Sequence, residues 1–564
     1  MVGPEWPWVR SWSWRTSRSV VDADASTCLT GQSGRHIAET IKVHRGDMNL
    51  RIDVAGPVAA VTTNGLLDAF WRYETALMDN DVDALDDLFL AGDKTIRADH
   101  EAVLQGHDAI ARFRAARTSG APARRVVDVH VRELGDDLCV VLAETCRSDG
   151  APGLQSQVWK NTADGWKIAY AHVSAGAPRD SRIWRKVGAP LAAATGTGPL
   201  TGLTVAVKDL FALAGERIGG GTPAYLEQAP IEECNAAAVD ALLAAGATVT
   251  GLAHTDELAY SLGGTNPHYG TPENPAAPGR IPGGSTSGPS VAVSSGQVDV
   301  GLGTDTAGSI RVPASYQGLW GLRPTHGAVD TGGLLPLAPS FDTVGVLTRD
   351  LTTLTRAADV LLPESEATEI ITVVVDSALL AYADPDVRRS FERAVESIGA
   401  CTPVEERDVL GADYDNVFSA FRTLQAYEAW QTHGSFLTKH PRAVATDVAG
   451  RFRDASSVTL TDAGAARRGL NRFRDRLATT LGTGTVLLLP STSSVAPAAG
   501  DGTAERARAA TLHLTCLASA AGRPALSMPM LWVGGLPVGL CAVGSPGHDR
   551  ALPRFGEQIA AILT

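Results

Sequence analysis

Residues 301–315 read GLGTDTAGSIRVPAS. An apolar, strand-like run gives way to a Gly-containing turn, which delivers Ser309 to the start of a helix. A serine placed this way is a candidate nucleophile. It needs a base, and this stretch contains no histidine.

The common serine arrangements fail on inspection. The chain has no GxSxG elbow and no SxxK motif. A remote histidine could complete a spatial triad, with His254, His268 and His326 nearest in sequence. A second base is on offer. Of the 49 basic residues only seven are lysine. One of them, Lys208, sits inside the apolar run VAVKDLF. Snorkelling at a strand end is one reading, but arginine serves that purpose too. Burial can drive a lysine, and not an arginine, to the neutral form that accepts a proton. Composition alone leaves both readings open. Between the two residues, IPGGSTSGPSVAVSSG (281–296) opens with a tight Gly-Gly-Ser turn and runs into a small-residue helix.

The rest of the chain sets the frame. At 564 residues it calls for two or more domains. A net charge of −13 argues against nucleic-acid or anionic-membrane binding, and no apolar run is long enough to span a bilayer. Seven scattered cysteines without a CxxC pair predict free thiols, no zinc site and a cytoplasmic location. Residues 1–61 read as a leader, disordered or preceding a true start at Met48. WPWVRSWSWRTSRSV has no apolar core and fails as a signal peptide.

Residues 62–175 read as helices followed by antiparallel strands, an α+β domain. Leu67, Phe70, Trp71 and Leu77 mark one helix face, and an Asp-rich cap restarts the next helix. Residues 176–200 lack a period and read as a linker. From 201 to 564, strands and helices alternate. This predicts an α/β domain with a mixed, largely parallel sheet covered by helices.

FWRYETAL and SQVWKNTADGWKIAYAHVS resemble the NTF2/SnoaL-like cone, and in particular the small domain that accompanies carboxybiuret-type amidases. The resemblance implies a homo-oligomer through this domain. A cone can hold a ligand, with Tyr73, His130, Glu144 and His172 as lining candidates, or these can be ordinary structural residues.

VAVKD, GGSTSG and GTDTAGSIRVPASYQGLWGLRPTHG resemble the amidase signature family, as do SFDTVGVLTRD and GLPVGL. DELAYSLGGTNPHYGTPENP resembles the indole-3-acetamide hydrolase branch most closely. The family implies a Ser–cis-Ser–Lys triad. Carried over, Ser309 is the nucleophile, Ser285 the bridge across a cis Gly284–Ser285 bond, and Lys208 the base. The backbone N–H groups of Thr306, Ala307, Gly308 and Ser309 form the oxyanion hole. Asp305 and Arg311 pair to hold the loop, with Ser287 beside them. No metal or cofactor is implied. The expected reaction is hydrolysis of a small, aryl-acetamide-like amide to carboxylate and amine or ammonia. A carbamate or ureide of carboxybiuret type, a non-catalytic receptor and an amidotransferase subunit are the alternatives. Thr286, Pro289, Ala307 and Cys541 depart from the usual family residues. Ala307 matters most, because a positive φ there would strain it; a conformation that alanine can reach is expected.

Overall fold

The computed structural model describes residues 38–45, 48–55 and 65–564, apart from 100–101, 117–123, 136, 148–151, 176–178, 365–368, 501 and 564. Two compact units are present. One comprises Met1–Ala121, Val127–Ala143 and Gln155–His172. The other comprises Pro122–Val126, Glu144–Leu154 and Val173–Thr564.

The N-terminal helices are Leu66–Asp79, Val82–Leu88 and His107–Ala115. Asp81 caps the second by accepting from Ala84 N–H at 3.0 Å. The buried face of the first is Leu66, Phe70, Tyr73 and Leu77. Leu67 and Trp71 are only half-buried, so the stripe is rotated from the expected one. Four long strands follow, Arg124–Gly135, Leu138–Arg147, Pro152–Thr162 and Gly165–Ala175, where β-branched and aromatic residues predicted them. They belong to an eight-stranded sheet. The expected leader needs correction. Ala38–Arg45 and Met48–Ala55 form an antiparallel hairpin in this sheet. Both segments alternate apolar and polar residues, the period-2 signature of a strand. The remainder of 1–61 lies outside the described residues.

The second unit is built on an eleven-stranded sheet. Four of its strand pairings are parallel and six antiparallel, so it is mixed and not largely parallel. Hairpins account for part of the difference. Ala525–Val533 and Leu536–Val543 are joined by Gly534 and Gly535, both at positive φ. The expected linker also needs correction. Trp184–Ala192 is an edge strand, antiparallel to Thr248–Ala253. Its Pro190 is tolerated because an edge leaves N–H groups unpaired.

Helices cover both faces of this sheet. Along the strand Thr485–Pro490, Leu487 and Leu489 join one core while Val486 and Leu488 join the other. The first core takes most of its helical side chains from Tyr414–Lys439, Thr446–Ser456, Leu460–Leu481 and Ala504–Ala521. The strand Thr204–Lys208 lies between Thr248–Ala253 and Val300–Thr304, parallel to both. Its apolar run is the mark of a strand buried on both faces. Among the described residues, no helix is long and apolar enough to cross a membrane.

Candidate active site

Lys208 ends its strand with no solvent exposure. Its Nζ lies 2.9 Å from Ser285 Oγ, 3.1 Å from Thr286 Oγ1 and 2.8 Å from Thr304 Oγ1. Burial pushes the amine down to about 7, opposed by the carboxylates of Asp256, Asp342 and Asp305. The Thr286 hydroxyl donates to the Thr304 carbonyl at 3.3 Å, which leaves its lone pairs to face the lysine.

The turn carrying Ser285 is clamped from behind. The Gly284–Ser285 bond is cis. Ser285 is fully buried. Its carbonyl accepts from Asp256 N–H at 3.2 Å and from the Thr255 hydroxyl at 2.8 Å. The buried Asp256 carboxylate accepts from Gly264 N–H at 2.9 Å and from Ser287 Oγ at 3.2 Å. A Cβ on Gly284 would fall 2.3 Å from that carboxylate, so only glycine fits.

Ser309 sits where the sequence put it, between the strand Val300–Thr304 and the helix Arg311–Gln317. It is almost fully buried. Thr286 N–H donates to its carbonyl at 3.3 Å, and its Oγ has no hydrogen-bond partner among the described residues. The loop is organised by Asp305, also fully buried. Arg311 grips it through Nε at 3.0 Å and Nη2 at 2.8 Å, as expected, and Arg323 adds Nη1 at 3.2 Å. Burial alone would raise the Asp305 pKa, but the two guanidiniums hold it well below the usual carboxylate range.

One expectation about the loop changes, and another, that Ala307 takes a conformation alanine can reach, holds. Gly308 N–H donates to Asp305 Oδ1 at 2.8 Å, so it is not free to serve an oxyanion. The N–H groups of Thr306, Ala307 and Ser309 have no acceptor among the described residues. Ala307 is not among the residues at positive φ; Gly308, at φ 124°, takes that conformation instead. The Ala307 carbonyl accepts from the Thr515 hydroxyl at 2.6 Å, and its methyl joins the core with Val312 and Tyr316.

The remaining candidates lie elsewhere. His254 stacks on Tyr269 at 3.9 Å, His268 meets Glu257 at 2.8 Å and His326 meets the Pro339 carbonyl at 2.8 Å. None of the three is bonded to Ser309. Tyr73 is a core residue that accepts from Arg114 at 3.5 Å. His130 is 3.7 Å from Asp128, His172 is half-buried and Glu144 is exposed. Cys541 is buried, which pushes its thiol up to about 11. Thr304, Asp256, Arg323 and Thr515 were not identified from sequence. Each is a common residue type whose significance comes only from what the fold packs beside it.

A cavity of about 840 Å³ opens beside these loops. Leu262 lines it, and the Leu262 carbonyl accepts from Gly284 N–H at 2.9 Å. Val312 and Tyr316, on the helix that follows Ser309, form the next part of its wall. Thr511, one turn before Thr515, lines it as well.

Residues 181–552 match the family described as Amidase, and residues 53–178 match the one described as AtzH-like. The chain is 35% identical over 400 residues to "Amidase 1" of Oryza sativa subsp. japonica, covering 65% of this chain and 91% of that one. It is 31% identical over 390 residues to a "1-carboxybiuret hydrolase subunit" of Pseudomonas sp. (strain ADP), covering 64% of this chain and 84% of that one. Among solved structures it is similar to one titled "Crystal structure of amidase". The TM-score is 0.61 at 34% identity, over 65% of this chain and 86% of that chain. The chain therefore belongs to the amidase family, hydrolases of C–N amide bonds, and carries an AtzH-like domain ahead of the amidase fold.

Proposed function

We propose that this protein cleaves the C–N bond of a small amide through an acyl-enzyme on Ser309, with Lys208 as base and Ser285 as relay. The observation that carries this reading is the set of three oxygens around Lys208 Nζ. A neutral amine has two N–H donors and one lone pair. Thr286 and Thr304 Oγ1 accept the two N–H groups, and the lone pair is left for the Ser285 hydroxyl. An amine at about 7 spends much of its time in that form near neutral pH.

The proposed relay runs from Ser309 through Ser285 to Lys208, its second link being the 2.9 Å contact. Ser285 passes its proton to Lys208 and takes the proton of Ser309. Ser309 Oγ attacks the amide carbonyl carbon. The negative oxygen of the tetrahedral intermediate is held by the N–H groups of Thr306, Ala307 and Ser309 at the start of a helix. As the C–N bond breaks, the proton returns from Lys208 through Ser285 to the leaving nitrogen. Water, deprotonated by the same relay, then releases the carboxylate and restores Ser309.

The similarity to Amidase 1 supports amide hydrolysis, and the resemblance of DELAYSLGGTNPHYGTPENP to the indole-3-acetamide hydrolase branch supports an aryl-acetamide-like amide as substrate. The AtzH-like domain and the similarity to the carboxybiuret hydrolase subunit support the second reading, a ureide. In both, the N-terminal domain is an NTF2-like cone that joins copies of the chain, and the protein acts in the cytoplasm. The test is ammonia release from a panel of primary amides and ureides, indole-3-acetamide and biuret among them, by wild type and Ser309→Ala. Release that disappears in the variant supports the proposal. Release that survives it rules Ser309 out as the nucleophile.

A further inference from the structure

The cavity beside the candidate active site has an uneven distribution of charge. Six charged side chains line it: Arg422, Arg451, Arg508, Asp447, Asp454 and Glu505. The acids stand at the rim. The Asp447 and Glu505 side chains are 63% and 68% exposed, whereas those of Arg451 and Arg508 are 16% and 19% exposed. Asp454 is exposed as well. Arg451 and Arg508 therefore lie deeper in the cavity, while the three acids and the exposed Arg422 stand at its mouth.

The arginines differ in how fully they are engaged. Arg451 donates to the Tyr260 carbonyl at 2.9 Å and pairs with Asp447 at 3.0 Å and Glu505 at 3.4 Å. Arg508 gives only Nη1 to Glu505, at 3.1 Å. Its Nε is shielded from solvent and has no hydrogen-bond partner. The Nε–Nη2 edge, the one that grips a carboxylate side-on, is thus without a partner. Arg422 has no carboxylate partner among the described residues, and its guanidinium stands 6.0 Å from the Phe418 ring. Burial and the nearby Arg451 disfavour the Arg508 cation, with Glu505 acting the other way. A second anion would relieve that imbalance.

Position completes the picture. Arg508, Thr511 and Thr515 lie on one face of the helix Ala504–Ala521, and Thr515 touches the Ala307 carbonyl in the loop of Ser309. Seven residues of helix separate Arg508 from Thr515 by roughly 10 Å.

Resting on the amidase reading above, we infer that this cavity takes amides bearing a carboxylate at the end remote from the scissile bond. Arg508 binds that carboxylate side-on, and Arg422 meets it at the mouth. The span favours a linear acid monoamide of five to seven carbons over a compact one.

Binding and turnover test this separately. Glutarate, adipate and pimelate are titrated into the full chain carrying Ser309→Ala. Saturable binding is expected. It should weaken about tenfold or more with Arg508→Gln and about threefold with Arg422→Gln, and by an intermediate factor with Arg508→Lys, which keeps the charge but loses the side-on pair. No binding, or binding unchanged in both glutamine variants, overturns the inference. If Arg508→Gln fails to fold, the exposed Arg422 and the charge-preserving lysine variant still decide it. In turnover, wild type should prefer adipic acid monoamide to hexanamide by about tenfold or more in kcat/KM, and Arg508→Gln should lose that preference. Equal or faster cleavage of hexanamide by wild type overturns the inference and leaves the amidase reading standing. Arginine-dependent binding without hydrolysis of any amide does the reverse.

Discussion

Lys208 Nζ and Ser285 Oγ lie 2.9 Å apart, both without solvent exposure and separated by 77 residues of chain. Their contact makes the protonation state of a single amine the controlling variable of the proposed chemistry.

The first expected outcome is a pH profile. Below about 7 the amine holds its proton and cannot accept one from Ser285; above it the lone pair is free. kcat/KM for an amide should rise about tenfold per pH unit on the acid side and level off above neutrality. Lys208→Met should remove both the activity and this limb. A rate already flat at pH 5.5 would eliminate Lys208 as the base.

Thr304 is expected to tune that limb. Its hydroxyl, 2.8 Å from Nζ, accepts from the amine and more strongly from the ammonium. Thr304→Val keeps the shape and removes the acceptor. The midpoint of the acid limb should move to lower pH while kcat falls by about tenfold. A lower kcat with an unmoved midpoint would reduce Thr304 to a packing role.

Asp305 bears on stability. It is fully buried between Arg311 and Arg323 and also accepts from Gly308 N–H. Asp305→Asn leaves two buried guanidiniums short of their counter-charge. A loss of about 3–5 kcal/mol is expected, read as a lower unfolding midpoint in urea. An unchanged midpoint would mean that water or another acid compensates.

Ala307 and Gly308 make opposite predictions. Ala307 does not need positive φ, so Ala307→Gly should not raise activity and should cost about 0.5–1 kcal/mol in stability. Gly308 is at φ 124°, and a Cβ there would stand 3.0 Å from the Thr515 side chain. Gly308→Ala should therefore disturb the loop and lower kcat by about 100-fold or more, the scale of losing an oxyanion donor. Equal rates for Gly308→Ala and wild type would show that the loop tolerates the shift.

The sequence made legible what is written locally. Lys208 stood out because lysine is rare here and this one is flanked by apolar residues, and Ser309 because a strand, a glycine turn and a helix follow in order. What it hid is pairing across long separations. Arg323 reaches Asp305 from another strand, and Thr515 reaches Ala307 across 208 residues. The Gly308 N–H was assigned to the oxyanion hole because spacing says nothing of the Asp305 carboxylate that claims it. Strand direction was equally invisible, since an apolar run reads the same in parallel and antiparallel neighbours.

The strand that ends at Lys208 has a consequence for how such a chain can change length. Successive residues of a strand face opposite ways. A one-residue deletion anywhere in 204–207 would turn the amine away from Ser285 and present Asp209 in its place. The loops between 209 and 283 carry no such parity, so whole turns can be added or removed there without reversing a side chain. Insertions and deletions in related chains should therefore collect between base and relay and be absent from the few residues that lead into the base.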